Sequence, residues 1–212
     1  IVATTDKPED DATVQIAIHT GVSVFRGSEH DVLDRFYKAA HEASADIVMR
    51  LTGDCPLMDP AVIDRVVRHF QEARGAIEYC GTPSNYPEGL DTEVFNFSAL
   101  EEAARTAKLP SEREHVTLYI KNHPERFTSD SWQEGAGNDS SMHWSVDTQS
   151  DFDFVTKVFE QLYPENPRFN KDDVLALLEQ HPEFLEINKG GTGYEGLAKS
   201  LIKDEQFKKR LT

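Results

Sequence analysis

Strand-length apolar runs alternate with amphipathic stretches at helical spacing along nearly the whole chain, and this alternation constrains the fold more than any other feature. Residues 1–5, 22–25, 47–52, 77–80, 92–95 and 143–146 read as strands. The segments between them carry helix start and stop signals. Pro8 and the acidic residues of 6–11 suit a helix start, and Gly21 stops that helix. Ser28 with Asp31 reads as a capping box ahead of Val32, Leu33, Phe36 and Ala40. Asp59 caps a helix with Pro60 at its first position and a stripe of Val62, Ile63, Val66, Val67 and Phe70. Ser98 with Glu101, Ser111 with Glu114 and Thr148 with Asp151 read as further boxes, Asn170 caps residues 174–180, and the last helix runs from about Tyr194.

Strands alternating with helices of this length call for right-handed parallel crossovers, which put helices on both faces of a sheet. The expectation is an α/β chain in three layers around a mostly parallel sheet, one domain over residues 1–212 with a helical part from 164. Ligands of such sheets sit beyond the carboxyl ends of the strands. Asp6, Arg26 and Asp54 each follow a strand and are expected to share one rim.

Composition narrows the partners. With 38 Asp+Glu against 22 Lys+Arg, the net charge of −16 argues against a nucleic-acid partner, whose phosphates demand clustered cations. A small phosphorylated substrate remains open if the site supplies its own cations. No run approaches the ~20 apolar residues of a membrane helix. The two cysteines, Cys55 and Cys80, build no disulfide framework, so a reducing, cytoplasmic compartment is expected.

Several constellations are set aside. Residues 191–196 match the dinucleotide fingerprint, but too little chain follows for a βαβ unit, and the stretch reads as a connector. The eight histidines show no paired metal-ligand spacing. Asp151-Phe152-Asp153 spells a metal-binding D-x-D inside an amphipathic helix, where it is a poor ligand set.

Two strand ends remain. Thr52-Gly53-Asp54-Cys55-Pro56 delivers a carboxylate after a glycine that permits close backbone approach. Asp54 there either holds Mg²⁺, which takes one or two protein carboxylates plus water and phosphate oxygens, or merely shapes a turn. Asp147, after 143–146, either joins it as a second ligand or supports the helix start. The stretch 86–93 combines aromatic, turn and acidic residues, which suits sugar hydroxyls or an ordinary turn into a strand.

Taken in order, Val2-Ala3-Thr4-Thr5-Asp6, Phe25-Arg26-Gly27-Ser28, Arg50 with Thr52-Gly53-Asp54-Cys55-Pro56-Leu57, Gly89-Leu90-Asp91, Ser111 to Thr117 and Val146-Asp147-Thr148 resemble the cytidylyltransferase family typified by spore coat polysaccharide biosynthesis protein F. This family is related to the CMP-sialate and CMP-ketodeoxyoctonate synthetases. The resemblance implies a nucleotide-diphospho-sugar transferase fold, GT-A-like and Rossmann-like, that moves CMP from CTP to a sugar or sugar acid and releases pyrophosphate. It implies Asp54 and Asp147 as catalytic Mg²⁺ ligands, Arg26, Arg50 and Asp6 toward the nucleotide, and Asp91, Glu112, Arg113 and His115 toward the sugar. A homodimer is a further implication. Relatives begin with a strand, a glycine-containing basic loop and a helix that are not found before Ile1, so the expected sheet lacks its first βα element through truncation. A sugar transferase using a sugar-nucleotide donor, or a non-catalytic nucleotide- or partner-binding domain, are the alternatives.

Overall fold

The computed structural model describes residues 1–132, 138–190 and 195–211. Its elements run β1 (Val2–Thr5), α1 (Asp11–His19), β2 (Val24–Gly27), α2 (Val32–Glu42), β3 (Ile47–Arg50), α3 (Pro60–Glu72), β4 (Tyr79–Gly81), β5 (Glu93–Asn96), α4 (Phe97–Thr106), α5 (Pro110–Glu114), α6 (Leu118–Asn122), β6 (Ser129–Asp130), α7 (Gln149–Leu162), α8 (Lys171–Gln180) and α9 (Glu195–Leu211). The strand and helix alternation expected from the sequence is therefore present, in a mixed α/β fold. The strands form a parallel pair, β1–β2, and a four-stranded sheet ordered β3-β5-β4-β6.

The chain forms two compact units. The first comprises Ile1–Val48, Phe95–Ser129 and α9. Its strands β1 and β2 pair from Val2↔Val24 to Thr5↔Gly27, with α1 as the crossover that a parallel pair needs. The turn after β1 is organised by Asp10, whose Oδ2 accepts from Thr4 Oγ1 at 2.6 Å, Thr5 N at 2.8 Å and Thr5 Oγ1 at 2.6 Å. Those bonds favour the ionised carboxyl and hold its pKa at about 2. Helix α2 is capped by Asp31, which accepts from Asp34 N, while Ser28 Oγ accepts from His30 N and Asp31 N one turn earlier. Expected as the cap itself, Ser28 instead shapes the approach. Helix α9 is tied to α5 through the buried Asp204, which accepts from Ser111 N at 2.9 Å and Ser111 Oγ at 2.6 Å.

The second unit comprises Met49–Val94 and the described residues of 130–194. Its α3 starts as expected, with Asp59 accepting from Ala61 N and Pro60 at the first position. Val62, Val66 and Phe70 pack with Ile77, Cys80, Val94 and Trp132 in one core. A second core joins Leu57, Leu90 and Trp144 to Phe154, Val155 and Val158 of α7 and Val174, Leu177 and Leu178 of α8. The box opening α7 forms as read, Thr148 with Asp151, and Asn170 caps α8 as expected, where Asp173 adds the reciprocal bond of a box that the sequence reading did not name.

Three local expectations are corrected. Among the described residues, 143–146 form no ladder, only a single parallel bridge from His143 to Glu88, because Trp144 N donates to Glu88 O while Val146 N donates to Asp54 O, on two different segments. Helix α4 starts at Phe97, directly after β5, so Ser98 lies inside it and caps nothing. Helix α5 starts at Pro110, and Ser111 binds Asp204 instead of boxing with Glu114. Of the 191–196 match, residues 191–194 lie outside the described residues. Among the described residues, no helix is long and apolar enough to cross a membrane.

Candidate functional site

The turn after β3 is pinned from beneath and open above. Cys55, Leu57 and Asp59 are buried, while Gly53, Asp54 and Pro56 face solvent. Thr52 Oγ1 lies 3.0 Å from Cys55 Sγ, and that thiol donates to Asp54 Oδ1 at 3.5 Å. Burial pushes the Cys55 thiol up to about 12, so it is an inert packing group. Asp59 adds an anchor with its second oxygen, which accepts from Lys171 N at 2.9 Å. A Cβ at Gly53 would meet nothing within 4 Å, so the fold itself does not require glycine there.

The segment carrying Asp147 meets this turn. Val146 N donates to Asp54 O at 2.8 Å, which brings the residue before Asp147 onto the backbone of Asp54. Both carboxylates are exposed, Asp147 at the mouth of α7. Two carboxylates open to water would offer oxygen donors of the kind that the partly hydrated octahedron of Mg²⁺ takes. Asp147 is held from behind by Asp151, whose Oδ2 accepts from Asp147 N at 3.2 Å, Thr148 N at 2.8 Å and Thr148 Oγ1 at 2.7 Å. Burial would raise the Asp151 pKa, but the bonds from Thr148, Asp147 N and Asn188 outweigh it and leave it below the usual carboxylate range.

A histidine that sequence reasoning set aside stands at the centre. His143 is buried, with Nδ1 2.9 Å from Glu88 Oε2 and Nε2 3.2 Å from Asp147 Oδ2, 3.6 Å from Asp151 Oδ1 and 3.3 Å from Ser145 Oγ. One ligand atom each from His143, Asp147 and Asp151 lie within 4.8 Å of one another, a separation a cation could also bridge. Asp151, however, is already engaged in holding the start of α7. Its signal in the sequence is the spacing of 143, 147 and 151, one histidine with two carboxylates, which a pattern of paired histidines does not contain.

The loop 82–92 packs directly on this segment. Gly89 has φ +102°, and a Cβ there would lie 2.7 Å from Ser145 N and from Trp144 C, so only glycine fits. Asp91 is exposed, and its Oδ2 accepts from Gly89 N at 3.0 Å, shaping the loop. Arg50 Nη1 donates to Glu93 Oε2 at 2.6 Å, and Tyr79 Oη donates to Glu93 Oε1 at 2.7 Å. Burial, with Glu93 alongside, pushes the Tyr79 phenol far up.

The remaining candidates belong to the first unit. Arg26 donates to Thr5 O, Lys7 O and Asp11 Oδ1, and the backbone N–H of Asp6 donates to Gly27 O, so both residues brace the turn after β1. Arg113 forks onto both oxygens of Asp31 at 2.9 and 2.6 Å and donates to Ala104 O. Glu112 is buried and accepts from Leu109 N, and His115 Nε2 lies 3.2 Å from Ser200 Oγ, which itself donates to Glu114.

A family model described as cytidylyltransferase matches residues 1–190, which contain every one of these candidates. The chain belongs to the cytidylyltransferase family. The chain is 38% identical over 195 residues to an uncharacterized protein of Methanocaldococcus jannaschii, covering 89% of this chain and 76% of that one. It is 31% identical over 196 residues to the spore coat polysaccharide biosynthesis protein SpsF of Bacillus subtilis, covering 86% and 75%. Among solved structures, a cytidylyltransferase from Leptospira borgpetersenii superposes with a TM-score of 0.80 at 32% identity, over 89% of this chain and 77% of that one. CMP:2-keto-3-deoxy-manno-octonic acid synthetase, solved with CTP, matches at a TM-score of 0.53 and 14% identity, over 74% and 79%, which is a likeness of fold.

Proposed function

We propose that this chain transfers CMP from CTP to a sugar or sugar acid and releases pyrophosphate, in the synthesis of a polysaccharide or glycoconjugate. The observation that carries the reading is the Val146 N to Asp54 O bond, which joins the turn of Asp54 to the segment of Asp147 and leaves both carboxylates open. The name of the SpsF relative, and that of the 3-deoxy-manno-octulosonate cytidylyltransferase of Trichlorobacter lovleyi, 28% identical over 137 residues, support the substrate class.

In this reading Asp54 and Asp147 hold Mg²⁺, which when bound neutralises charge on the triphosphate. A sugar hydroxyl forms a new O–P bond to the α-phosphorus, the bond from that phosphorus to the β-phosphate bridging oxygen breaks, and the hydroxyl proton passes to solvent. The open backbone at Gly53 admits the nucleotide closely. The loop 86–91, with Asp91 at its exposed edge, presents acceptors to the sugar hydroxyls. Buried free thiols at Cys55 and Cys80 suit a cytoplasmic setting.

The test is to incubate the chain with CTP, Mg²⁺ and a panel of sugars and sugar acids, and to follow pyrophosphate and the CMP-sugar. Asp54→Ala and Asp147→Ala should each lower turnover by about 10²-fold or more, on the scale of losing one group that stabilises transition-state charge. No pyrophosphate with any acceptor, or an Asp54→Ala protein as active as the parent, overturns the reading.

A further inference from the structure

His143 is held on both sides and shielded from solvent, yet neither its backbone nor its burial explains why an imidazole occupies the position. Its Nδ1 meets Glu88, on the loop that carries Asp91, and its Nε2 meets Asp147 and Ser145. Ser145 Oγ also donates to Asp147 Oδ2 at 3.1 Å. Oδ2 of Asp147 is thus fixed by two side chains, while about half of the Asp147 side chain remains exposed. An exposed carboxylate ordinarily samples several rotamers. One clamped at a single oxygen presents the other in a set direction.

We propose that His143 is a positioning residue for Asp147: its Nε2–H orients the carboxylate so that the free oxygen faces the cation, and its Nδ1 couples that orientation to Glu88. The proposal rests on the reading of Asp147 as a metal ligand. Partners that orient ligating carboxylates typically change metal affinity by about 10–100-fold when removed. His143 does not itself bind the cation, because Nε2 is committed to Asp147 and Ser145, and Asp151, which would complete that triangle, accepts from the start of α7 at Oδ2 and from Asn188 Nδ2 at Oδ1.

Two substitutions separate the ring's two contacts. The amide nitrogen of a glutamine overlays Nε2 of the histidine it replaces, and that of an asparagine overlays Nδ1. His143→Gln keeps a donor at the Nε2 position beside Asp147, and His143→Asn keeps one at the Nδ1 position beside Glu88. With Mn²⁺ as probe, titrated in the presence of CTP and read from the electron paramagnetic resonance of the free ion, His143→Asn should weaken binding about 10–100-fold and His143→Gln should stay near the parent. Melting temperatures of both variants accompany the titration. A role confined to tying down the Glu88 loop predicts the reverse order. The proposal is overturned by that reverse order, by two variants that bind Mn²⁺ like the parent, or by nitrogen modulation in the electron spin echo of the parent's bound Mn²⁺, which would make His143 a ligand. A parent that releases pyrophosphate and depends on Asp147, with His143→Asn unchanged, sinks this inference alone. A parent that neither turns over CTP nor binds Mn²⁺ sinks the function it rests on.

Discussion

Gly89→Ala probes how closely the two loops of the site are pressed together. At φ +102° an alanine is strained by about 1–3 kcal/mol. Its Cβ would also lie 2.7 Å from Ser145 N and Trp144 C, and these are backbone atoms that cannot rotate aside. Overpacking of this kind typically adds about 1–3 kcal/mol. The two contributions centre near 4 kcal/mol, and for a chain of this size each kcal/mol lowers the melting temperature by roughly 2–4 °C, so the variant should melt roughly 8–16 °C below the parent. Relief of the clash requires the 144–145 backbone to withdraw from the 88–89 loop, which breaks the bond from Trp144 N to Glu88 O and separates His143 from Glu88. Turnover below the melting transition should therefore fall as well. Circular dichroism melting and a pyrophosphate assay at low temperature measure the two effects. A Gly89→Ala protein that melts within about 1 °C of the parent would refute the close approach and the coupling built on it.

Gly53→Ala makes the opposite prediction: with open space around the added methyl, melting should be unchanged within about 1 °C while the KM for CTP rises, and a large loss of stability would contradict the open turn. Asp10 should shape the acid limb of stability. Its pKa lies at about 2 in the fold against an ordinary 3.8, so its contribution is complete above about pH 4 and disappears as pH falls toward 2. The melting gap between the parent and Asp10→Asn, present at pH 6, should accordingly close between pH 4 and 2; a gap constant across that range defeats the assignment. Arg113→Lys loses the fork onto Asp31 and should cost about 1–2 kcal/mol, seen as a lower melting temperature. Unchanged melting with a raised KM for the sugar would instead make Arg113 a substrate contact.

What could be read from the sequence was what sequence neighbours decide. Thr148 with Asp151, the cap at Asn170 and Asp59 with Pro60 are closed by residues within a turn of one another, so local sequence carries the structure. Ser98 and Ser111 had the same spacing and a different outcome. Asn96 is committed to β5 and hands the chain straight to α4, and Ser111 is taken up by the carboxylate of Asp204, 93 residues on, instead of its local partner. Asp54 and Asp147 stood out because an acidic residue after an apolar run is a local pattern, and the fold joins their two segments through the bond from Val146 N to Asp54 O. His143 was not, because Glu88 lies 55 residues away and only the folded loop shows the ring bridging it to Asp147. Asp10 escaped for a related reason: an acidic residue before a helix looks like a cap, whereas here it turns back onto β1.

The two thiols offer a way to watch the second unit open. Cys55 lies under the Asp54 turn and Cys80 in the α3 core, and burial raises their pKa values to about 12 and about 11. At neutral pH almost no thiolate exists in the closed state, so an alkylating reagent can trap only molecules whose cores have transiently parted. Each sulfur thereby times a different breathing motion: Cys80 records the sheet and α3 coming apart, and Cys55 records the lifting of the turn on which CTP chemistry would depend.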